Sequence, residues 1–421
     1  MPQFKKYKLR TLCTKIGSGA TPRGGDAVYK AKGISLIRSQ NILDFAFSKN
    51  GLAFIDEEQA KDLANVELKE RDVLLNITGD SVARVSQVPN KILPARVNQH
   101  VAIIRANQQK LNPEYLKYYL LSRPTKEMLL SLASTGATRK AITKSMIEDF
   151  EIEIPDEEGT VTQTLIASIL TSLDDKIELN RRTNHTLEQI AQTLFKKYFV
   201  DDIDPENLPK GWVKNNLKEF VTTTTGYSYK STELQPSKRA LVTLKNFDRN
   251  GGFRLDGFKQ YIGGCKETQI VQEGDLAVAH TDVTQNAELI GNPILIINPD
   301  NYDQLVISTD LVKVESKLDW LTLEYLYYLM RDSEFKNHCL AHTNGTTVLH
   351  LSKSAIPTYI FNLPNKETIA KFTEVVRPII QKKNCNIRQN NKLIALRDSL
   401  LPKLMSGEIE VNSTEKELAE V

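Results

Sequence analysis

The sequence of 421 residues predicts a mixed α/β (α+β) domain built twice, the copies alternating with long coiled-coil helices that pair antiparallel, so that the halves are related by an approximate two-fold axis. Three observations predict it. First, Gly136, Thr138, Ile142, Lys144, Ile147, Phe150 and Pro155 match Gly345, Thr347, Leu351, Lys353, Ile356, Tyr359 and Pro364 in a single register. Second, Glu70-Arg71-Asp72-Val73-Leu74 resembles Glu273-Gly274-Asp275-Leu276-Ala277, and Glu114-Tyr115-Leu116 resembles Glu324-Tyr325-Leu326, at slightly different offsets that loops of unequal length would produce. Third, each copy gives way to a run with heptad spacing. A period this long, present only twice, is a duplicated domain rather than a solenoid.

In order along the chain, residues 1–160 form the first domain, 161–200 a spacer helix, 201–365 the second domain, 366–405 a second spacer helix and 406–421 a tail. The runs Ile34–Arg38, Val73–Ile77 and Val101–Ile104 have strand composition and are separated by glycine and proline turns; Leu241–Leu244, Leu276–Ala279, Ile294–Ile297 and Leu311–Val314 are their second-copy equivalents. Pro113–Leu121 and Thr322–Met330 predict short helices with Leu and Tyr on a core face. From Gln163 to Phe199 there is neither Gly nor Pro, and Leu170, Leu173, Ile177, Asn180, Asn184, Leu187 and Leu194 fall on one seam. Phe372, Val376, Ile379, Lys383, Ile387, Asn390, Ile394, Arg397 and Leu401 make the second seam, where Pro378 predicts a kink or a later helix start. A buried Asn in a seam costs stability and fixes register, so each helix should have one alignment with its partner.

Composition narrows the function. The net charge is only +3, but from Ser81 to Ile147 eleven Lys and Arg residues face only Glu114 and Glu127, and Lys210 to Lys266 is similarly basic, as a polyanion surface requires. The basic excess fades over 269–363. Cys13, Cys265, Cys339 and Cys385 have no ligand spacing and read as reduced thiols. His338 and His342 beside Cys339 read as incidental rather than as a metal site. No phosphate-binding loop, zinc-protease motif, nucleophile elbow or Asn-Pro-Pro-aromatic tetrapeptide is present, so the chain should recognise or scaffold rather than react. Without a signal core or a bilayer-length apolar run it is expected in the cytoplasm, away from membranes.

The opening Gly17-Ser18-Gly19-Ala20-Thr21-Pro22, the run Ile166-Ala167-Ser168-Ile169-Leu170 continuing to Leu173-Asp174-Asp175-Lys176-Ile177, and the close Leu400-Leu401-Pro402-Lys403-Leu404-Met405-Ser406-Gly407-Glu408-Ile409 occur in that order. In this arrangement the whole chain resembles the specificity subunit (HsdS) of type I restriction-modification systems. The resemblance implies two target recognition domains, each reading half of a bipartite site in double-stranded DNA. It further implies helices that space them and dock two methyltransferase (M) subunits, with restriction (R) subunits joining the complex. Catalytic residues, metal and bound cofactor are then none in this chain, and the partners use S-adenosylmethionine, ATP and Mg for adenine methylation and ATP-dependent cleavage. The second domain opens Phe220 to Tyr229 without a Gly-x-Thr-Pro loop, so its half-site should differ.

Base edges are read by forked donors and acceptors, Arg for guanine and Asn or Gln for adenine, while Ser, Thr and Lys position phosphates. The first domain offers Thr21 and Arg23, then Arg38, Ser39, Gln40 and Asn41, then Thr78, Gly79, Asp80, Ser81 and Arg84, then Thr138, Arg139, Lys140 and Lys144. The second offers Lys245, Asn246 and Arg249, then His280, Thr281 and Asp282, then Thr346, Thr347, His350 and Lys353. The same residue types also cap ordinary turns, and Gly79, Gly136 and Gly345 suit a tight turn whatever binds. A duplicated coiled-coil protein-protein adaptor without DNA readout is the alternative; it would show little of the salt dependence that DNA binding demands.

Overall fold

Strand-forming runs in both halves are buried on both faces, as in Val73–Asn76 and Leu276–Ala279, and so need neighbours on either side. A computed structural model describes residues 4–134, 140–155, 159–248, 252–284 and 286–411. By its internal contacts the chain divides into two units: residues 1–176 with 393–421, and residues 177–392.

In the first unit a four-stranded antiparallel sheet runs in the order Cys13–Ser18, Val101–Ala106, Val73–Asn76, Val85–Gln87. A three-stranded sheet places Ile34–Ile37 between Ala53–Ile55 and, in parallel, Ala95–Val97. Phe4–Lys8 pairs with Glu151–Pro155. The second unit repeats the plan. Its antiparallel sheet runs Val221–Thr225, Leu311–Ser316, Leu276–Ala279, Pro293–Leu295, and Arg239–Val242 pairs in parallel with Gln304–Ile307. Val213–Asn216 pairs with Ile360–Leu363.

The short helices Pro113–Leu121 and Leu323–Arg331 start at equivalent caps. Asn112 Oδ1 accepts the Glu114 and Tyr115 amides at 2.9 and 3.0 Å, and Thr322 Oγ1 accepts that of Tyr325 at 3.4 Å. Each cap also touches the long helix that follows its domain. Gln163 Oε1 accepts the Asn112 amide at 2.9 Å, and the Thr322 and Thr373 hydroxyls lie 2.7 Å apart. These contacts tie the end of each α/β layer to its helix.

The two long helices are Val161–Phe199 and Lys366–Met405. Neither forms a body of its own, since the boundary between units cuts through both. Within the first unit Ile166, Ala167 and Leu170 share a core with Leu401, Leu404 and Met405. Within the second, Phe195, Phe199 and Phe372 pack with Tyr325 and Tyr328; Phe372 is fully buried and stands edge-on to Phe199 with ring centroids 5.1 Å apart. Pairing is antiparallel, because rising numbers on one helix meet falling numbers on the other. Asn180 Nδ2 donates to Asn390 Oδ1 and Gln389 Oε1, both at 2.8 Å, Asn184 Nδ2 donates to the Lys383 carbonyl at 3.1 Å, and Asn386 Nδ2 donates to Asn184 Oδ1 at 2.8 Å. These amides have complementary partners in one alignment only, which is how buried polar seam residues fix register. Pro378 neither delays nor ends the second helix, which begins at Lys366; the residue lies on an exposed turn, where water can hydrate the carbonyl that its missing N–H leaves unbonded.

Candidate nucleic-acid interface

The ends of buried strands in the first unit deliver three polar loops to one place. Ile34–Ile37 leads into the turn Ser39–Asn41, and Val73–Asn76 leads into Thr78–Arg84. Asn76, wholly buried, joins them by donating from Nδ2 to the Ser39 carbonyl at 2.9 Å and to Ser81 Oγ at 3.0 Å. The third segment docks where the Ile142 amide meets the Ile77 carbonyl at 2.8 Å and Ala141 bridges Thr78. It brings exposed Lys140 and Lys144, the latter 3.4 Å from Glu148. Thr78 Oγ1 is hydrogen-bonded to His100 Nδ1 at 2.6 Å. Gly79 (φ 75°) and Asp80 are exposed at the tip, while Ser81 and Arg84 are half-buried. Half-buried Arg38 donates from Nη2 to the Gly51 carbonyl at 2.7 Å and lies over the Tyr29 ring, and exposed Gln40 donates to the same carbonyl at 3.1 Å.

The opening loop joins this cluster through backbone. Gly19 and Ala20 donate to the Val101 and Val97 carbonyls at 2.8 and 2.9 Å, and a Cβ on Gly19 would stand 2.2 Å from the Val97 oxygen. Only glycine permits that approach. Half-buried Thr21 and exposed Arg23 follow. In the second unit Gly226 occupies the equivalent position, with a Cβ 2.1 Å from the Ser308 oxygen, so the close approach persists although the Gly-x-Thr-Pro sequence does not.

The second unit also assembles loops from distant sequence. Thr281–Asp282 pairs with Leu349–Leu351, setting Thr281 opposite His350. Thr346, Thr347, His350 and Lys353 are exposed around it, and Lys245 is exposed on the turn after Val242. His280 is half-buried, and burial together with the charges of His350 and Lys353 lowers its pKa, favouring the neutral imidazole. Among the described residues no His, Cys, Asp and Glu cluster could hold a metal, and no helix is long and apolar enough to cross a membrane.

The family model described as the type I restriction modification DNA specificity domain matches residues 2–189. The HindI specificity subunit of Haemophilus influenzae is 28% identical, over 97% of this chain and 100% of its own length. Over nearly its whole length the chain is similar to type I restriction enzyme specificity subunits. The MjaIX specificity subunit of Methanocaldococcus jannaschii is 24% identical over 94% of this chain and 91% of its own. The crystal structure of a type I restriction-modification system S subunit from M. genitalium shares the fold, with a TM-score of 0.60 and 14% identity over 96% of each chain.

Within the two loop clusters four residues expected at the DNA are instead buried in the protein. Asn41 and Asn246, expected at adenine edges, are wholly buried. Asn41 Oδ1 accepts the Arg38 amide and its Nδ2 donates to the Ser48 and Asn50 carbonyls; Asn246 does the same with the Thr243 amide and the Arg254 carbonyl. Thr281 is buried and donates to Asp310 Oδ1 at 2.9 Å. Asp282 is wholly buried, its carboxylate accepting the amides of Thr284, Leu289 and Ile290 at 2.7, 2.5 and 3.0 Å. Burial alone would raise the Asp282 pKa, but these bonds hold it below the usual carboxylate range. Each of the four uses its polar atoms to shape a loop that neighbouring residues present. Thr138, Arg139 and Arg249 lie outside the described residues. Sequence reading missed Asn76 and His100 as loop anchors; the signal for Asn76 was an amide closing the apolar run Val73-Leu74-Leu75.

Proposed function

We propose that the two α/β domains each read one half of a bipartite target in double-stranded DNA, and that the paired helices set the gap and dock methyltransferase (M) and restriction (R) subunits. In this reading the chain is non-catalytic, and its partners contribute S-adenosylmethionine, ATP and Mg chemistry. The observation that carries it is the repetition of one loop-presenting framework in both units, with different side chains at its exposed positions. The direct test is to purify the chain with its modification subunits and map methylated adenines on host DNA. The expected motif has two parts separated by a fixed gap; a continuous motif, or none, would overturn the proposal.

Contacts within the first cluster divide into readers and positioners. If exposed Arg23 makes a bidentate guanine contact, Arg23→Ala should weaken cognate binding by about 1–3 kcal/mol and relax preference at one base pair. Lys144→Ala should instead weaken cognate and scrambled duplexes alike and reduce the slope of log affinity against log salt by about 1. Equal losses on every duplex for both variants would remove Arg23 from the readers.

Helix length provides an independent measurement. One heptad added at matched positions in both long helices lengthens each by roughly 10 Å. At about 3.4 Å per base pair, the gap in the methylated motif should change by about three base pairs. An unchanged gap would show that something other than the helices sets it.

A further inference from the structure

The loop that follows the central strand stands on the same stem in each unit. In the first, Ala83 donates to the Asn76 carbonyl and Asn76 to that of Arg84, both at 2.9 Å; in the second, Gly291 donates to Ala279 and Ala279 to Asn292, both at 2.9 Å. Ala83 (φ 65°) and Gly291 (φ 75°) both adopt the left-handed conformation that closes the stem. The next contacts also coincide, since Ile142 donates to the Ile77 carbonyl at 2.8 Å and Leu351 to that of His280 at 2.9 Å. Counted from these shared bonds, the residue two beyond the bridging Thr78 is Asp80, and the residue two beyond Thr281 is Val283.

The two positions are chemically opposite. Asp80 exposes a carboxylate, whereas Val283 is 67% exposed, the highest value for any large apolar residue among those described. A lone exposed aliphatic side chain is ordinary on many surfaces. This one projects next to a buried clasp, because the Asp282 carboxylate holds the amides of Thr284, Leu289 and Ile290 and so fixes the start and the return of its loop. The strand paired with Thr281–Asp282 carries exposed His350, and exposed Thr346, Thr347 and Lys353 flank that strand in sequence, polar and cationic groups suited to a nucleic-acid backbone. In the major groove the one apolar feature that distinguishes a base pair is the 5-methyl group of thymine.

From this we infer that Val283 packs against the 5-methyl of a thymine in the half-site read by the second domain, an inference that rests on the DNA-reading function proposed above. The complex of the full chain with its modification subunits would be titrated with duplexes of the mapped motif in which each thymine is replaced, one at a time, by deoxyuridine. For the unaltered protein one position in one half-site should lose about fourfold in affinity, the worth of one buried methyl group. Val283→Ser should bind the thymine duplex more weakly and become indifferent to deoxyuridine there, and Val283→Ile should keep the discrimination. Retention of the deoxyuridine penalty by Val283→Ser, or no penalty at any thymine for the unaltered protein, would overturn the inference while leaving DNA reading intact. Failure of the unaltered complex to prefer the mapped motif over a scrambled duplex would refute the DNA-reading proposal itself.

Discussion

Glu188→Ala should destabilise the second unit by about 3–5 kcal/mol, the cost of leaving buried charges without their partner. Glu188 is 7% exposed, and its carboxylate meets Lys383 Nζ in an ion pair, Arg331 Nε at 3.2 Å and Gln192 Nε2 at 2.8 Å, while the Tyr328 hydroxyl approaches at 3.5 Å. One side chain on the first long helix thereby engages the second long helix and the end of Leu323–Arg331. Its removal strands two cations in a space closed by Tyr327 and Tyr328. Burial acting alone would raise the Glu188 pKa, but Lys383 and Arg331 overcome it and hold the carboxyl below its ordinary 4.5.

The sign of the pH effect follows. A depressed folded pKa means that the stabilisation is complete above 4.5 and is lost as pH falls from there through the folded value. Hydrogen exchange over 177–199 and 366–392 should therefore quicken in the variant at neutral pH, and the variant should lose less further protection on acidification than the unaltered chain. Glu367→Gln, which removes a solvent-exposed i,i+4 pair with Lys371, should change little. Unaltered exchange in Glu188→Ala would show that the charges are solvated rather than buried.

Asp282→Ala should reduce affinity for the cognate duplex by about 100-fold, near 3 kcal/mol, with non-specific binding unchanged. The substitution leaves three backbone N–H groups without their acceptor, two of them on the buried residues Leu289 and Ile290, at about 1–3 kcal/mol for each buried donor left unsatisfied. A loop can escape that penalty only by opening to water, which dissolves the arrangement that presents Val283 and faces His350. The Leu289 and Ile290 amides should then exchange rapidly. Rapid exchange combined with undiminished cognate affinity would show that the loop takes no part in recognition. Asp282→Asn keeps one acceptor oxygen and should fall between the two.

The repeat and the helices were legible in the sequence because their signals are periodic. Leu170, Ile177, Phe372 and Val376 announce a helix face wherever the rest of the chain goes, and Asn180 and Asn390 stand out as polar positions on it. Glu188 and Asn386 were not legible, since a polar residue just off a heptad seam looks like any solvated position until its partner helix is in place. The loops proposed to read DNA were legible as polar segments between apolar runs, but which of their residues stay exposed was not. An Asn after a strand is equally suited to an adenine edge and to a turn, and Asn41 and Asn246 take the turn because the carbonyls of Ser48 and Arg254 come within reach of their amides.

What the sequence determined by itself is what depends on near neighbours along the chain: strand runs, heptad seams and the internal duplication, all set by local propensity and side-chain spacing. Only the tertiary structure decided which polar side chains are spent inside the protein and which remain for a partner. That choice is made by atoms far away in sequence, as Asn76 joins Ser39 to Ser81 and Thr281 meets Asp310 and His350. A hydrogen-bonding group carries the same chemistry in either setting, and burial beside a complementary partner is what commits it to one.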